Sequence, residues 1–413
     1  MGFTFIHAAD LHLDTPFEGV GHVSPVLRER LVDASLEALD ALVERAISGR
    51  DLFVALAGDI YDGAVRGIRA QARLLAATRR LSDAGIHTFI AHGNHDPVDE
   101  GWTAVRAWPE RVHVFPAHAA ETFTLTAADG TRVTVTGTSF PVREVTQGLH
   151  QRFPKPSGPG FHVAVLHANV GASPDHAAYS PCRLDDLTEL GYHAWLLGHI
   201  HRRAILRARS PLAAYSGNLQ GRSFKPAECG PKGALRVTVE LEVPTTTFLD
   251  LAPIRFENLS VDVSSCTDLG GVFEACSAAL DAVRAPERTT LVRATLRGRS
   301  AAFDDLVGQS PAELLRAIQE ATRSASGAVW TAVALDVQPI RQLDALRPRD
   351  DLAGELVREM DRLAADPDAV RRLLVGAAPA ALRDLLAEAD TAALTSWLEQ
   401  SAELALHMLD GEA

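Results

Sequence analysis

Residues 52–59 read LFVALAGD: an unbroken apolar run from Leu52 to Ala57 that ends in Gly58 and Asp59. A run this short and this apolar has the length and bounds of a strand buried on both faces. Four further runs break in the same way into Asp, His or Asn. They are FIHAADLH (Phe5 to His12), FIAHGNHD (Phe89 to Asp96), VAVLHAN (Val163 to Asn169) and WLLGHIH (Trp195 to His201). Ligands of open α/β sheets gather at the carboxyl ends of strands, so the loops leaving these runs are expected to converge. They deliver seven good metal ligands: Asp10, His12, Asp59, Asn94, His167, His199 and His201.

The segments around these runs set the fold class. Residues 25–48 and 67–84 carry apolar positions at helical spacing, the second ending at Gly85. With the runs ending at Asp59 and Asn94 they make a βαβαβ opening, hence parallel strands with right-handed crossovers. Residues 121–138 alternate apolar and polar around Asp129-Gly130, a hairpin signal. Residues 141–160, rich in Pro and Gly, read as a surface loop, 185–190 as a short helix, and 234–243 as a closing strand. The class is α/β: a two-sheet sandwich flanked by helices over residues 1–245. Residues 244–253, with Pro244 and Pro253 around a Thr run, read as a domain boundary. A small α+β capping domain is expected over 252–342: strand 254–263, helix 268–283, strand 289–297, helix 311–323, strand 329–339. Leu- and Ala-rich helices, broken at Asp366-Pro367 and Gly376, form a tail over 350–413. That tail reads either as a bundle packed on the body or as a docking module for a protein partner.

Composition narrows the function classes. At 413 residues and 46% hydrophobic the chain can bury large cores. It has no apolar run of membrane-spanning length and no export signal, so a cytoplasmic protein without membrane contact is expected. Its four cysteines show no paired spacing, which suits free thiols. The net charge of −13 opposes a nucleic-acid partner only at first sight. Residues 350–413 hold 14 acids and 5 arginines, so −9 of that charge lies in the tail. The remainder is near balance, and several of its acids are candidate ligands that cations would neutralise.

The ligand set has its own chemistry. Asp10 and His12 stand two apart, so along a strand both face one side. Gly58 lets backbone come close to the Asp59 carboxylate, whose two oxygens can bridge two cations about 3.5–4 Å apart. Mixed His, Asp and Asn shells suit Mn²⁺, Fe or Zn²⁺ better than Ca²⁺ or Mg²⁺. Five ordered motifs point to a two-metal site. His22, His113, His118, His150, His176 and His407 lie outside any such pattern and read as ordinary surface or core histidines.

DLH, GDIYDG, GNHD, HAN and GHIH, in that order, resemble the signature blocks of the calcineurin-like metallophosphoesterases. The resemblance implies that Asp10, His12, Asp59 and His201 hold one ion, and Asp59, Asn94, His167 and His199 the other, with Mn²⁺ the leading metal. It makes His95 the proton donor to the leaving oxygen, with Asp96 orienting it. HAADLHLDTPFEG (7–19) and YSGNLQGRSFKPAECGPKG (215–233) further resemble the nuclease subunit of SbcCD-type DNA repair complexes, most closely its YhaO-type branch. That implies a DNA phosphodiesterase: an exonuclease, with endonuclease action as a second activity. Asn218, Gln220, Arg222 and Lys225 would then hold DNA phosphates. The C-terminal helices would dock on an SMC-like coiled-coil ATPase, and helices 25–48 and 67–84 would supply a homodimer face. Where some family members carry a second histidine after the GD block, this chain has Asp62, which leaves the kind of nuclease open. The other readings are hydrolysis of a nucleotide, lipid pyrophosphate or phosphoprotein at the same ions, or a mainly architectural subunit tethering an ATPase.

Overall fold

The computed structural model describes residues 2–20, 25–63, 67–100, 103–171, 179–285, 287–322, 327–340, 343–379 and 382–411. The chain opens with β1 (Gly2–Ala8), α1 (Pro25–Gly49), β2 (Phe53–Ala57), α2 (Ile68–Asp83), β3 (His87–Ala91) and β4 (Val112–Val114). Next come β5 (Glu121–Thr126), β6 (Arg132–Gly137), β7 (Phe161–His167), α3 (Leu184–Thr188), β8 (Ala194–Gly198), β9 (Ala204–Arg207) and β10 (Leu212–Tyr215). The hairpin β11 (Gly233–Glu240) and β12 (Val243–Asp250) follows.

One sheet has the order β12-β11-β1-β2-β3-β4 and the other β5-β6-β7-β8-β10-β9. β1, β2, β3 and β4 run parallel, as do β6, β7, β8 and β10. All five motif-bearing strands therefore lie in parallel ladders and open their loops at carboxyl ends. Side-chain alternation explains the layers. Phe5, Phe53, Ala55 and Phe89 point between the sheets, against Val135, Val163, Val165 and Leu196 of the second. Their neighbours Ile6, Val54, Leu56 and Ile90 point the other way, onto Leu39 and Leu42 of α1 and Leu74 and Leu81 of α2. The outer face of the second sheet buries Ala164, Leu166, Trp195 and Leu197 beneath Phe140, Phe153 and Leu187.

The core between the sheets is built on stacked aromatics. Phe53 is fully buried, with its ring 4.4 Å from Phe5 (stacked) and 5.5 Å from Phe89 (edge-on). Phe53→Ala should destabilise the protein by about 3–5 kcal/mol. Urea unfolding should show this as a lower midpoint with an unchanged slope.

The expected α/β sandwich with flanking helices is present, and so is the hairpin at Asp129-Gly130. One expectation is corrected. Of residues 244–253, read as a domain boundary, residues 244–250 belong to strand β12 on the edge of the first sheet. An edge strand tolerates Pro244, and a Thr-rich run suits a half-exposed pleat.

Beyond β12 lie β13 (Ile254–Asp262), α4 (Leu269–Ala282), β14 (Thr289–Ser300), α5 (Phe303–Val307), α6 (Pro311–Ala321) and β15 (Ala328–Pro339). The three strands form a sheet in the order β13-β14-β15. The C-terminal helices are α7 (Leu343–Leu346), α8 (Leu352–Ala364), α9 (Pro367–Ala377), α10 (Arg383–Glu388) and α11 (Thr391–Gly411). The chain divides into two compact units. The first is Met1–Leu259 with Leu280–Ala294 and Arg323–Ala332; the second is Ser260–Ala279, Thr295–Thr322 and Val333–Ala413. In the second unit Asp366 caps α9 by accepting from Ala369 N–H at 3.0 Å, with Pro367 at the first helical position. Leu363, Val370, Leu394 and Leu398 close a small core among α8, α9 and α11. No described helix is long and apolar enough to cross a membrane, and all four cysteines are free thiols.

Candidate metal centre

The loops leaving β1 and β2 travel together beyond the strands. Asp10 N–H donates to Gly58 O and His12 N–H to Asp59 O, both at 3.0 Å, and Leu13 N–H to Ile60 O at 2.9 Å. This pairing is made with left-handed backbone, φ being 50° at Asp10, 43° at His12 and 50° at Asp59, and His199 just after β8 also has positive φ, 100°. Left-handed residues other than glycine cost about 1–3 kcal/mol each and cluster where function constrains the chain. Two glycines give the rings room. A Cβ on Gly58 would lie 2.1 Å from His167 Nδ1, and one on Gly198 would lie 1.8 Å from Ala57 O.

All seven expected ligands converge, and so does His95. Asp10, His12, Asp59, Asn94, His167 and His199 are buried and His201 is partly so. Ligand atoms of Asp10, His12 and His201 lie within 4.8 Å of one another, as do those of Asp10, Asp59 and His167. His167 Nε2 is 3.3 Å from Asp59 Oδ2 and 3.0 Å from Asn94 Oδ1, and His199 Nδ1 is 3.2 Å from that same amide oxygen. His12 Nε2 is 3.2 Å from His201 Nε2.

The hydrogen bonds test whether this donor set suits a cation. His167 Nδ1 lies 2.9 Å from Ala57 O. A carbonyl only accepts, so Nδ1 carries the hydrogen. In the neutral ring Nε2 then aims its lone pair at the oxygens of Asp59 and Asn94. Converging lone pairs repel each other and bind a cation well, so these residues fit divalent metal. Without one, a proton takes that place. Burial lowers His167, but the Asp59 and Asp10 carboxylates outweigh it and push the ring up to about 9. Burial raises Asp59, yet His167 and His12 hold it well below the usual carboxylate range. A cation bound here would take the place of the His167 proton.

His95 lies beside these residues, and its ring nitrogen groups with ligand atoms of His12 and Asp62 within 4.8 Å. Its N–H donates to Asp59 Oδ1 at 2.9 Å, and its ring meets that of His12 edge-on, centroids 5.0 Å apart. Burial lowers its pKa, but the Asp62 carboxylate, 2.6 Å from Nδ1, and Asp59 raise it overall.

Three sequence expectations, for Asp96, Asn218 and Gln220, need correction. The contact that orients His95 comes from Asp62; Asp96 is wholly buried and braces the loops instead. It accepts from Gly93 N–H at 2.8 Å and Ile60 N–H at 3.0 Å and pairs with His92 Nδ1 at 2.8 Å. Asn218 and Gln220 do not offer amides to a ligand at the surface. Both are buried: Asn218 Nδ2 donates to Gln220 O and Glu228, and Gln220 Nε2 to Gly221 O and Ile254 O. Lys225 is exposed and pairs with Glu18 at 3.4 Å. Arg222 does reach the site, donating from Nη1 to Asp62 Oδ2 at 2.9 Å.

One residue escaped the sequence reading. Glu228 Oε1 lies 2.5 Å from His201 Nδ1, and no spacing signal marks it. Among the histidines set aside, His113 packs on Phe89 and Phe123, and His118 is an exposed partner of Asp99. His22 and His176 lie outside the described residues.

Comparison with known proteins agrees with this geometry. The model of the calcineurin-like phosphoesterase family matches residues 3–203, and that of the metallophosphoesterase YhaO middle domain matches residues 256–332. The uncharacterized metallophosphoesterase YhaO of Bacillus subtilis is 31% identical over 364 residues, covering 87% of each chain. The DNA double-strand break repair protein Mre11 of Thermoplasma acidophilum is 26% identical over 226 residues, 53% of this chain and 56% of that one. Its counterpart from Aeropyrum pernix is 34% identical over 91 residues, 22% of this chain and 20% of its own. With the ordered ligand set, the two-sheet sandwich and this similarity along most of its length, the chain belongs to the calcineurin-like metallophosphoesterases.

Proposed function

We propose that the protein is a DNA phosphodiesterase of DNA repair, an exonuclease with endonuclease action as a second activity, in which His95 protonates the leaving oxygen. The observation that carries the chemistry is the position of His95, tied by its backbone to Asp59 and by Nδ1 to Asp62. With Nδ1 engaged, Nε2 is the nitrogen that hands over a proton. Asp10, His12, Asp59 and His201 would hold one divalent ion, and Asp59, Asn94, His167 and His199 a second. When bound, such ions, Mn²⁺ by preference with Fe or Zn²⁺ as alternatives, neutralise phosphate charge and lower the pKa of the attacking water. Asp62 keeps the His95 ring in place and raises its pKa, and Arg222 beside it supplies a cation for a phosphate oxygen.

Two observations support DNA as the substrate: the Mre11 relatives are named as double-strand break repair proteins, and an arginine stands at the site. The C-terminal helices are proposed to dock on an SMC-like coiled-coil ATPase, where Leu352, Leu373 and Met408 leave apolar surface exposed. A second copy is proposed to pack on α1 and α2, where Val26, Val32 and Ile68 are exposed. The proposed compartment is the cytoplasm.

The test uses end-labelled duplex DNA and a small phosphodiester, with Mn²⁺ or EDTA, on the full chain and on a chain lacking 350–413. Cleavage of DNA with Mn²⁺ only, retained without the tail while ATPase capture is lost, is the expected result. Cleavage of the small ester alone would remove DNA as the substrate of the isolated protein. A folded but inactive truncation would contradict the role given to the tail.

A further inference from the structure

We propose that Glu228 is a positioning residue of the metal centre, fixing the His201 tautomer that presents Nε2 to an ion. The inference rests on the two-ion reading of the site and is independent of DNA as substrate. Glu228 is buried in the polar loop between β10 and β11. Its Oε1 lies 2.5 Å from His201 Nδ1, and its Oε2 accepts from Asn218 Nδ2 and from the Arg222 backbone N–H, both at 2.8 Å. An ionised carboxylate only accepts, so His201 Nδ1 must carry a hydrogen. The lone pair is then confined to Nε2, which faces His12 Nε2 at 3.2 Å and groups with Asp10. Carboxylates that orient ligating histidines in this way act on metal affinity without touching the metal.

The same carboxylate connects the two halves of the site. It holds the backbone of Arg222, whose Nη1 donates to Asp62 Oδ2 at 2.9 Å, and Asp62 Oδ1 is 2.6 Å from His95 Nδ1. A continuous line of contacts thus runs from His201 to His95. Lys232 braces it from behind by donating to His201 O at 2.8 Å.

Glu228→Gln keeps the shape and changes one hydrogen-bonding function. If the amide oxygen serves Asn218 and Arg222, the amide NH₂ meets Nδ1–H of His201 and drives that hydrogen to Nε2. Turning the amide over only moves the clash onto the other two donors.

The experiment titrates metal-free wild type and E228Q with Mn²⁺, reading free Mn²⁺ by its EPR signal. It also records the imidazole nitrogen shifts of both metal-free proteins by NMR. Wild type should take up two ions, with His201 as the Nδ1–H tautomer. In E228Q one ion should bind about 10–100-fold more weakly. The second should be unchanged, and His201 should move to Nε2–H. Arg222→Ala, which keeps the backbone N–H on Glu228, should retain both affinities. Equal affinities in wild type and E228Q would overturn the proposal, as would loss of both ions or matching weakening in R222A, which would indicate loop collapse. If E228Q does not fold, the wild-type spectrum still decides, because an Nε2–H ring at His201 refutes the proposal. Wild type that takes up no Mn²⁺ would remove the metal centre and this inference together, and it is recognised without any variant.

Discussion

Asp59→Asn is expected to weaken both metal sites together, each by more than about 100-fold, and to abolish phosphodiester cleavage. Loss of a partner behind a ligand costs about 10–100-fold in affinity, so loss of a shared ligand must cost more. The variant is chosen to preserve the fold. Asp59 sits at φ 50°, a conformation that Asn tolerates better than most residues. The amide oxygen can still accept from His95 N–H, as Asp59 Oδ1 does at 2.9 Å. What changes is the charge and the second oxygen, now an NH₂ facing His167. Metal analysis of the dialysed protein, with circular dichroism for the fold, checks this. Two ions retained per chain would refute the shared carboxylate.

His95→Ala should do the opposite. It removes a proton donor and no ligand, so both ions and substrate binding should persist while kcat falls by about 10²–10⁴-fold. The ring is a third exposed and its neighbours are hydrogen-bonded elsewhere, so the fold should tolerate its loss. Steady-state kinetics beside metal analysis separates the two roles. A metal-free His95→Ala protein would place His95 among the ligands, and one with unchanged kcat would remove it from the chemistry.

The parts of the fold legible in the sequence were those where chemistry changes abruptly along the chain. LFVALAGD passes from six apolar residues to Gly-Asp in one step, and the structure ends β2 at Ala57. The convergence of the Asp, His and Asn residues was legible for the same reason, since parallel strands carry their terminal residues to one edge. Strand β12 was not, because Pro244 and a run of threonines look alike in a linker and in an edge strand. The supporting residues were harder still. Asp96 is adjacent to His95 in sequence, yet adjacent residues point apart, and Asp62 from another loop meets the ring. Asn218 and Gln220 are polar residues in a polar loop, and nothing in their spacing says that they turn inward. Glu228 touches His201 across 27 positions of chain, a distance no local pattern spans.

The most direct test of the two-metal centre is a crystal of the protein grown with Mn²⁺ and measured at the manganese absorption edge. Two anomalous peaks flanking the Asp59 carboxylate are predicted, one beside Asp10, His12 and His201 and one beside Asn94, His167 and His199. A single peak, or peaks away from Asp59, would contradict the account.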